Sequence, residues 1–123
     1  MVKKILMIED EKALQYTLGE LLTSEGFALA QAYDGQEGLE LARSENPDLV
    51  LLDLRLPKKD GFEVLKELKS DKKTSEIPVI IFTNLETAED IDKALEAGAT
   101  TYIVKANYGL EDILVKIKEV LSY

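Results

Sequence analysis

Apolar residues gather into five short runs along this chain: Ile5–Ile8, Phe27–Tyr33, Leu49–Leu52, Val79–Phe82 and Tyr102–Val104. The runs are mostly continuous rather than alternating, as expected of strands covered on both faces of a parallel sheet. Between them the apolar residues adopt helical spacing. Leu14, Leu18, Leu21 and Leu22 form a first stripe, and Phe62, Leu65 and Leu68 a third. Ile91, Ala94 and Leu95 form a fourth, and Leu110, Ile113, Leu114, Ile117 and Leu121 a fifth. The second segment, roughly Gly35–Glu45, has a weak stripe from Leu39 and Ala42, and Pro47 follows it.

Polar residues mark the ends of these segments. Thr87-x-x-Asp90 resembles a capping box, and Asp60 stands three residues before Glu63. Gly26 and Gly98 lie where glycines close helices. No linker, repeat or low-complexity stretch interrupts the alternation. The pattern predicts one α/β domain over residues 1–123, a doubly wound (βα)5 sandwich with right-handed crossovers. Its five-stranded parallel sheet is expected to have strand order 2-1-3-4-5.

Composition narrows the chemistry. At 123 residues and 46% hydrophobic content the chain suits one packed core. No apolar run approaches the roughly 18 residues of a membrane span. The start, MVKKILMIEDE, shows no small-residue cleavage site, so no signal peptide is read and a cytoplasmic location is expected. Cysteine is absent, which excludes disulfides and thiolate metal sites. Histidine is absent too, which removes a Ser-His triad and imidazole-based zinc. The net charge of −9 argues against direct contact with a nucleic-acid backbone.

In such sheets ligands sit outside the carboxyl ends of the strands, where the strand order reverses. Glu9, Asp10 and Glu11 follow the first strand. In "DLVLLDLRLP" the third strand runs into Asp53, a carboxylate too costly to bury without a partner. Thr83 and Asn84 follow the fourth strand and Lys105 the fifth. Neighbouring strands are about 4.8 Å apart, so Asp10 and Asp53 should share one small space. They would repel unless a cation intervened. Oxygen-only ligands favour a hard cation, with Mg2+ the one expected. With a lysine and a hydroxyl on the same rim, the set suits a phosphoryl group, and a carboxylate is available as nucleophile.

Four pieces, "IEDE", "LLDLRLPKKDG", "IFTN" and "YIVK", stand in the order and at the strand ends of the bacterial response regulator receiver domain. The chain resembles that flavodoxin-like family over essentially its whole length. The resemblance implies a phosphorylation-dependent switch rather than an enzyme acting on external substrates. Asp53 would accept a phosphoryl group from a sensor histidine kinase or phosphotransfer protein. Asp10 would bind Mg2+ directly, Glu9 through water, and Arg55 through its backbone carbonyl. Lys105 would pair with the phosphoryl oxygens. Thr83 would move to hydrogen-bond them, and Tyr102 would swing into the vacated space. The surface of the fourth helix, fifth strand and fifth helix would then change for a downstream protein, or for phosphorylation-dependent homodimerisation. With nothing after the last stripe, the chain is expected to be a single-domain regulator or the receiver part of a longer protein.

The chain also departs from the family pattern. Ala106 stands after Lys105 where the family usually has proline, often after a cis peptide. A trans bond with a rearranged loop, or a strained bond, is expected there. Asn84 is larger than usual after the switch threonine, and could narrow access to the phosphate or hydrogen-bond it. Lys59 replaces a common methionine. Three other functions compete. A flavin carrier would need a glycine-rich phosphate loop where this chain has three acids. A dehalogenase-type phosphohydrolase would need an acid where Arg55 stands. A phosphorylation-independent interaction module would have no use for the acids, Thr83 and Lys105.

Overall fold

The computed structural model describes residues 2–122. Its strands are β1 (Lys4–Ile8), β2 (Ala28–Ala32), β3 (Leu49–Leu52), β4 (Val79–Thr83) and β5 (Thr101–Val104). The helices are α1 (Lys12–Ser24), α2 (Gly35–Glu45), α3 (Gly61–Ser70), α4 (Ala88–Glu96) and α5 (Leu110–Val120). All strand pairs are parallel and the order is β2-β1-β3-β4-β5, as the alternation predicted.

Every residue of β3 and β4 is buried, which is why their sequences are unbroken apolar runs. Alternate residues feed opposite layers. Leu6, Ile8, Val50, Leu52 and Ile81 pack with Leu39, Val64, Leu65, Leu68 and Ala94 from α2, α3 and α4. Ile5, Met7, Leu51, Ile80 and Phe82 pack with Leu18, Leu22, Ile113 and Ile117 from α1 and α5.

The run Phe27–Tyr33 yields a strand of Ala28–Ala32 only. Its first residue closes the preceding helix: Gly26 has φ 94°, and Phe27 N–H donates to the Leu22 carbonyl at 3.1 Å. At its other end Tyr33 N–H donates to the Glu37 carboxylate at 2.8 Å, which starts the turn into α2. Asp34 caps α2, Asp60 caps α3 and Thr87 caps α4, each accepting from a first-turn N–H. The fourth stripe is thinner than expected. Ala94 is buried and Ile91 half-buried, but Leu95 is 45% exposed. Helix α4 therefore rests on the sheet along a narrow line.

Candidate functional site

Parallel strands end on one rim, and Glu9, Asp53 and Lys105 meet there because each directly follows a strand. The backbone brings β1 and β3 into register at that point. Glu9 N–H donates to the Ala32 carbonyl, and Asp53 N–H to the Ile8 carbonyl, each at 3.0 Å. Asp53 leaves the buried β3 and is only 6% exposed. Leu54 beneath it is buried and Leu56 half-buried, so the apolar residues after Asp53 seat the loop in the core. Gly61, at the start of α3, lies against this loop. A Cβ there would stand 2.4 Å from both the Asp53 carbonyl oxygen and the Leu54 Cα.

Lys105 joins the acids. Its Nζ lies 2.6 Å from Glu9 Oε1 and 2.9 Å from Asp53 Oδ2. The other oxygens of these carboxylates accept backbone N–H groups: Glu9 Oε2 from Glu11 at 3.0 Å, Asp53 Oδ1 from Arg55 at 3.1 Å. Glu11 itself does not cap α1 through its side chain. Asp10 is exposed.

Burial pushes the Glu9 carboxyl up to about 7. Hydrogen bonds from Lys105 and the Glu11 N–H pull it down, and the Asp53 charge adds to the rise. Burial alone would lower the Lys105 ammonium, but hydrogen bonds to Glu9 and Asp53 raise it above the usual lysine value. The two partners thus pull in opposite senses. Lys105 is the firmly charged member, because two carboxylates hold it. Glu9 is the group that a second cation would ionise, because it shares one ammonium with Asp53.

Glu9, Asp10 and Asp53 can each bring a carboxylate oxygen within 4.8 Å of the others. With all three ionised against one ammonium, the pocket carries an excess of two negative charges. An all-oxygen, partly open donor set with that excess fits a hard divalent cation. It is the only such cluster among the described residues.

Thr83 is fully buried at the end of β4, and its Oγ1 accepts from Leu85 N–H at 3.4 Å. Tyr102 is half-buried against the α2–α3–α4 core, and its hydroxyl donates to the Leu85 carbonyl at 2.7 Å. Burial and the charges of Asp90 and Asp53 push its phenol up to about 12. Leu85 is thus tied to Thr83 through its N–H and to Tyr102 through its carbonyl.

The Lys105–Ala106 bond is trans, and residues Lys105–Asn107 form a single 3-10 turn. Of the two outcomes expected at the missing proline, the bond is the trans one. The loop borders an open cleft of about 350 Å³ lined by Glu11, Leu14, Phe82, Asn84, Lys105, Ala106, Tyr108, Gly109 and Leu110. Asn84 is exposed on this cleft. Arg55 is exposed as well, leaving only its backbone at the site. Lys59 turns away and pairs with Glu67 at 2.5 Å.

Sequence reasoning missed Gln15. It is fully buried, and its Nε2 lies 3.1 Å from the Met7 carbonyl, 3.1 Å from that of Glu9 and 2.9 Å from that of Ala32. The available signal was its spacing: Gln15, Leu18 and Leu22 occupy one stripe, so the glutamine had to be buried with the leucines.

The family model for the response regulator receiver domain matches residues 5–118. The DNA-binding dual master transcriptional regulator RpaA of Synechocystis sp. is 36% identical over 118 residues, covering 96% of this chain and 48% of RpaA. A CheY-like response regulator receiver domain protein from Methanospirillum hungatei JF-1 superposes with a TM-score of 0.92. The two are 31% identical, over 99% of this chain and 95% of that one. The Mn(2+)-bound form of response regulator Rcp1 superposes with a TM-score of 0.81 at 33% identity, over 98% of this chain and 93% of that one. The chain spans about half the length of most of the curated relatives it matches.

Proposed function

The chain belongs to the response regulator receiver family, and from that premise we propose that Asp53 is its phosphoryl acceptor and the rim around it a signalling switch. The observation that carries this reading is the ammonium of Lys105 lying between the carboxylates of Glu9 and Asp53. That geometry suppresses the charge of the nucleophile's surroundings while leaving Asp53 next to a cation.

In the proposed reaction a carboxylate oxygen of Asp53 attacks the phosphorus of a phosphohistidine on a sensor kinase or phosphotransfer protein. The P–N bond breaks, and the imidazole leaves with the electron pair and takes a proton from solvent. Glu9, Asp10, Asp53 and the Arg55 carbonyl would hold Mg2+, which when bound neutralises charge on the phosphoryl oxygens. The Mn2+ bound by the relative Rcp1 supports a divalent ion here. Lys105 hands one of its hydrogen bonds from the carboxylate to a phosphoryl oxygen. The Thr83 hydroxyl donates to another.

The output follows from Leu85. When Thr83 turns toward the phosphoryl group it gives up the Leu85 N–H, and the same residue's carbonyl holds Tyr102. Loop and tyrosine then move together under α4, which is the least anchored helix. A local electrostatic event thereby biases a two-state surface offered to a downstream protein. The chain turns over no external substrate and works in the cytoplasm with its kinase.

Incubation with acetyl phosphate and Mg2+, followed by intact-mass measurement, tests the assignment. One added phosphoryl group is expected on the wild-type chain and none on Asp53→Asn. A gain that survives this substitution sinks the reading, and so does no gain at all.

A further inference from the structure

We propose that Gln15 is a positioning residue that fixes the backbone carrying Glu9 and Asp10, and through it the affinity of the acidic pocket for a divalent cation. The inference rests on reading Glu9, Asp10 and Asp53 as a cation site.

Peptide units are planar, so a hydrogen bond to one carbonyl sets the orientation of the whole unit. The Glu9 carbonyl belongs to the unit that carries the Asp10 N–H, and it accepts from Gln15 Nε2 at 3.1 Å. The preceding unit is pinned from the other side, by Glu9 N–H donating to the Ala32 carbonyl at 3.0 Å. Gln15 holds that same Ala32 carbonyl at 2.9 Å. Both peptide units flanking the Glu9 Cα are therefore tied to one buried carboxamide. The strand-to-strand bonds of Glu9 N–H to the Ala32 carbonyl and of Asp53 N–H to the Ile8 carbonyl fix only the first of these units, so the second, which carries Asp10, is oriented by Gln15.

The carboxamide is itself fixed. Gln31 Nε2, from β2, donates to Gln15 Oε1 at 3.0 Å and to the Gln15 carbonyl at 3.2 Å. This leaves the two Nε2 hydrogens of Gln15 facing the cluster of carbonyls. A neutral donor suits the position. A lysine or arginine would add a second fixed cation beneath the acids and compete with the metal, whereas a carboxylate would face three carbonyl oxygens. With an apolar residue at 15, the Glu9 carbonyl would be buried without its donor. Its peptide would rotate to find one, taking the Asp10 Cα with it.

The test is Mg2+ titration calorimetry on the full chain, with thermal unfolding measured on the same samples. Gln15→Leu is expected to bind Mg2+ about tenfold more weakly, as loss of an orienting partner behind a ligand does. Gln31→Leu keeps the Gln15 donors but frees the amide, and is expected to weaken binding by a smaller factor. It also serves if Gln15→Leu fails to fold. Leu18→Ala, in the same helix and the same core, controls for stability: it should lower the unfolding temperature and leave Mg2+ affinity unchanged. If wild type binds Mg2+ and both glutamine variants bind it equally well, the inference is overturned and the site reading stands. If Leu18→Ala weakens Mg2+ as much as Gln15→Leu, Gln15 is merely structural and the inference is again overturned. A wild-type chain that binds no Mg2+ overturns the cation-site reading and the inference with it.

Discussion

Gly61→Ala separates stability from site geometry. The new Cβ would lie 2.4 Å from the Asp53 carbonyl oxygen, 2.4 Å from the Leu54 Cα and 3.0 Å from the Leu54 carbonyl carbon. Ordinary contact begins near 3.4 Å, and all three obstacles are backbone atoms with no rotamer to change. The β3–α3 loop must therefore retreat by about 1 Å, a displacement that can cost a reaction about 100-fold when it moves a reacting group. The retreat also strains the 2.9 Å hydrogen bond from Gly61 N–H to the Leu54 carbonyl. Overpacking of this kind costs about 1–3 kcal/mol, and alanine's better helix propensity returns less than about 1 kcal/mol at a first-turn position. A net loss of about 2 kcal/mol lowers the urea midpoint by about 1 M at a slope of about 2 kcal/mol/M. Gly26→Ala supplies the contrast. Its φ of 94° is strained for alanine, but no atom lies within 4 Å of the added Cβ. It should lose about 1–2 kcal/mol from the left-handed backbone alone. The assay pairs urea unfolding with the initial rate of Asp53 phosphorylation by acetyl phosphate at saturating Mg2+. The reasoning fails if Gly61→Ala and Gly26→Ala have the same rate, or if Gly61→Ala keeps wild-type stability.

In metal-free buffer Glu9, raised by burial from 4.5 to about 7, holds a proton in the folded chain that the unfolded chain has released. Its contribution to stability is fully present below 4.5 and is lost as pH rises through about 7. The wild-type minus Glu9→Gln difference in unfolding free energy should fall across that interval, and a flat difference refutes the claim. Lys105→Ala leaves two buried carboxylates without their ammonium. It should cost about 3 kcal/mol near neutral pH without metal, with saturating Mg2+ narrowing the gap; denaturant unfolding that finds no loss contradicts the pairing. Tyr102→Phe deletes the 2.7 Å hydrogen bond to the Leu85 carbonyl. A loss of about 1 kcal/mol is expected, together with faster hydrogen exchange in the loop between β4 and α4, and unchanged exchange there argues against the tie.

The strands and their polar ends were legible because both follow from periodicity. An unbroken run such as Leu49–Leu52, too short for a helix, reads as a strand covered on both faces, and in a doubly wound sheet the residue after it stands on the ligand rim. Asp53, Thr83 and Lys105 were found that way. The errors came where one residue served a neighbour's needs. Phe27 looked like strand but completes the closing turn of α1, and Leu95 looked like core but stands on a helix that touches the sheet through Ala94. Gln15 differs: its spacing with Leu18 and Leu22 marks it as buried, but not what it holds. Its partners are backbone carbonyls, which have no letter in the sequence. Gly61 is a further case, since its small size is demanded by the backbone of the loop packed against it.

The glycine turns at Gly26 and Gly98, with Asn46 at φ 48°, all lie where helices return to the sheet, on the edge opposite the acids. The chain therefore has one rim that gathers the acids and Lys105 and one that only reverses direction. An engineer could lengthen, cut or graft into the second without touching the first. A circular permutant opened between α2 and β3, or a reporter inserted after Gly98, should still take up its phosphoryl group, so the domain can be rewired as a sensor from its inert side.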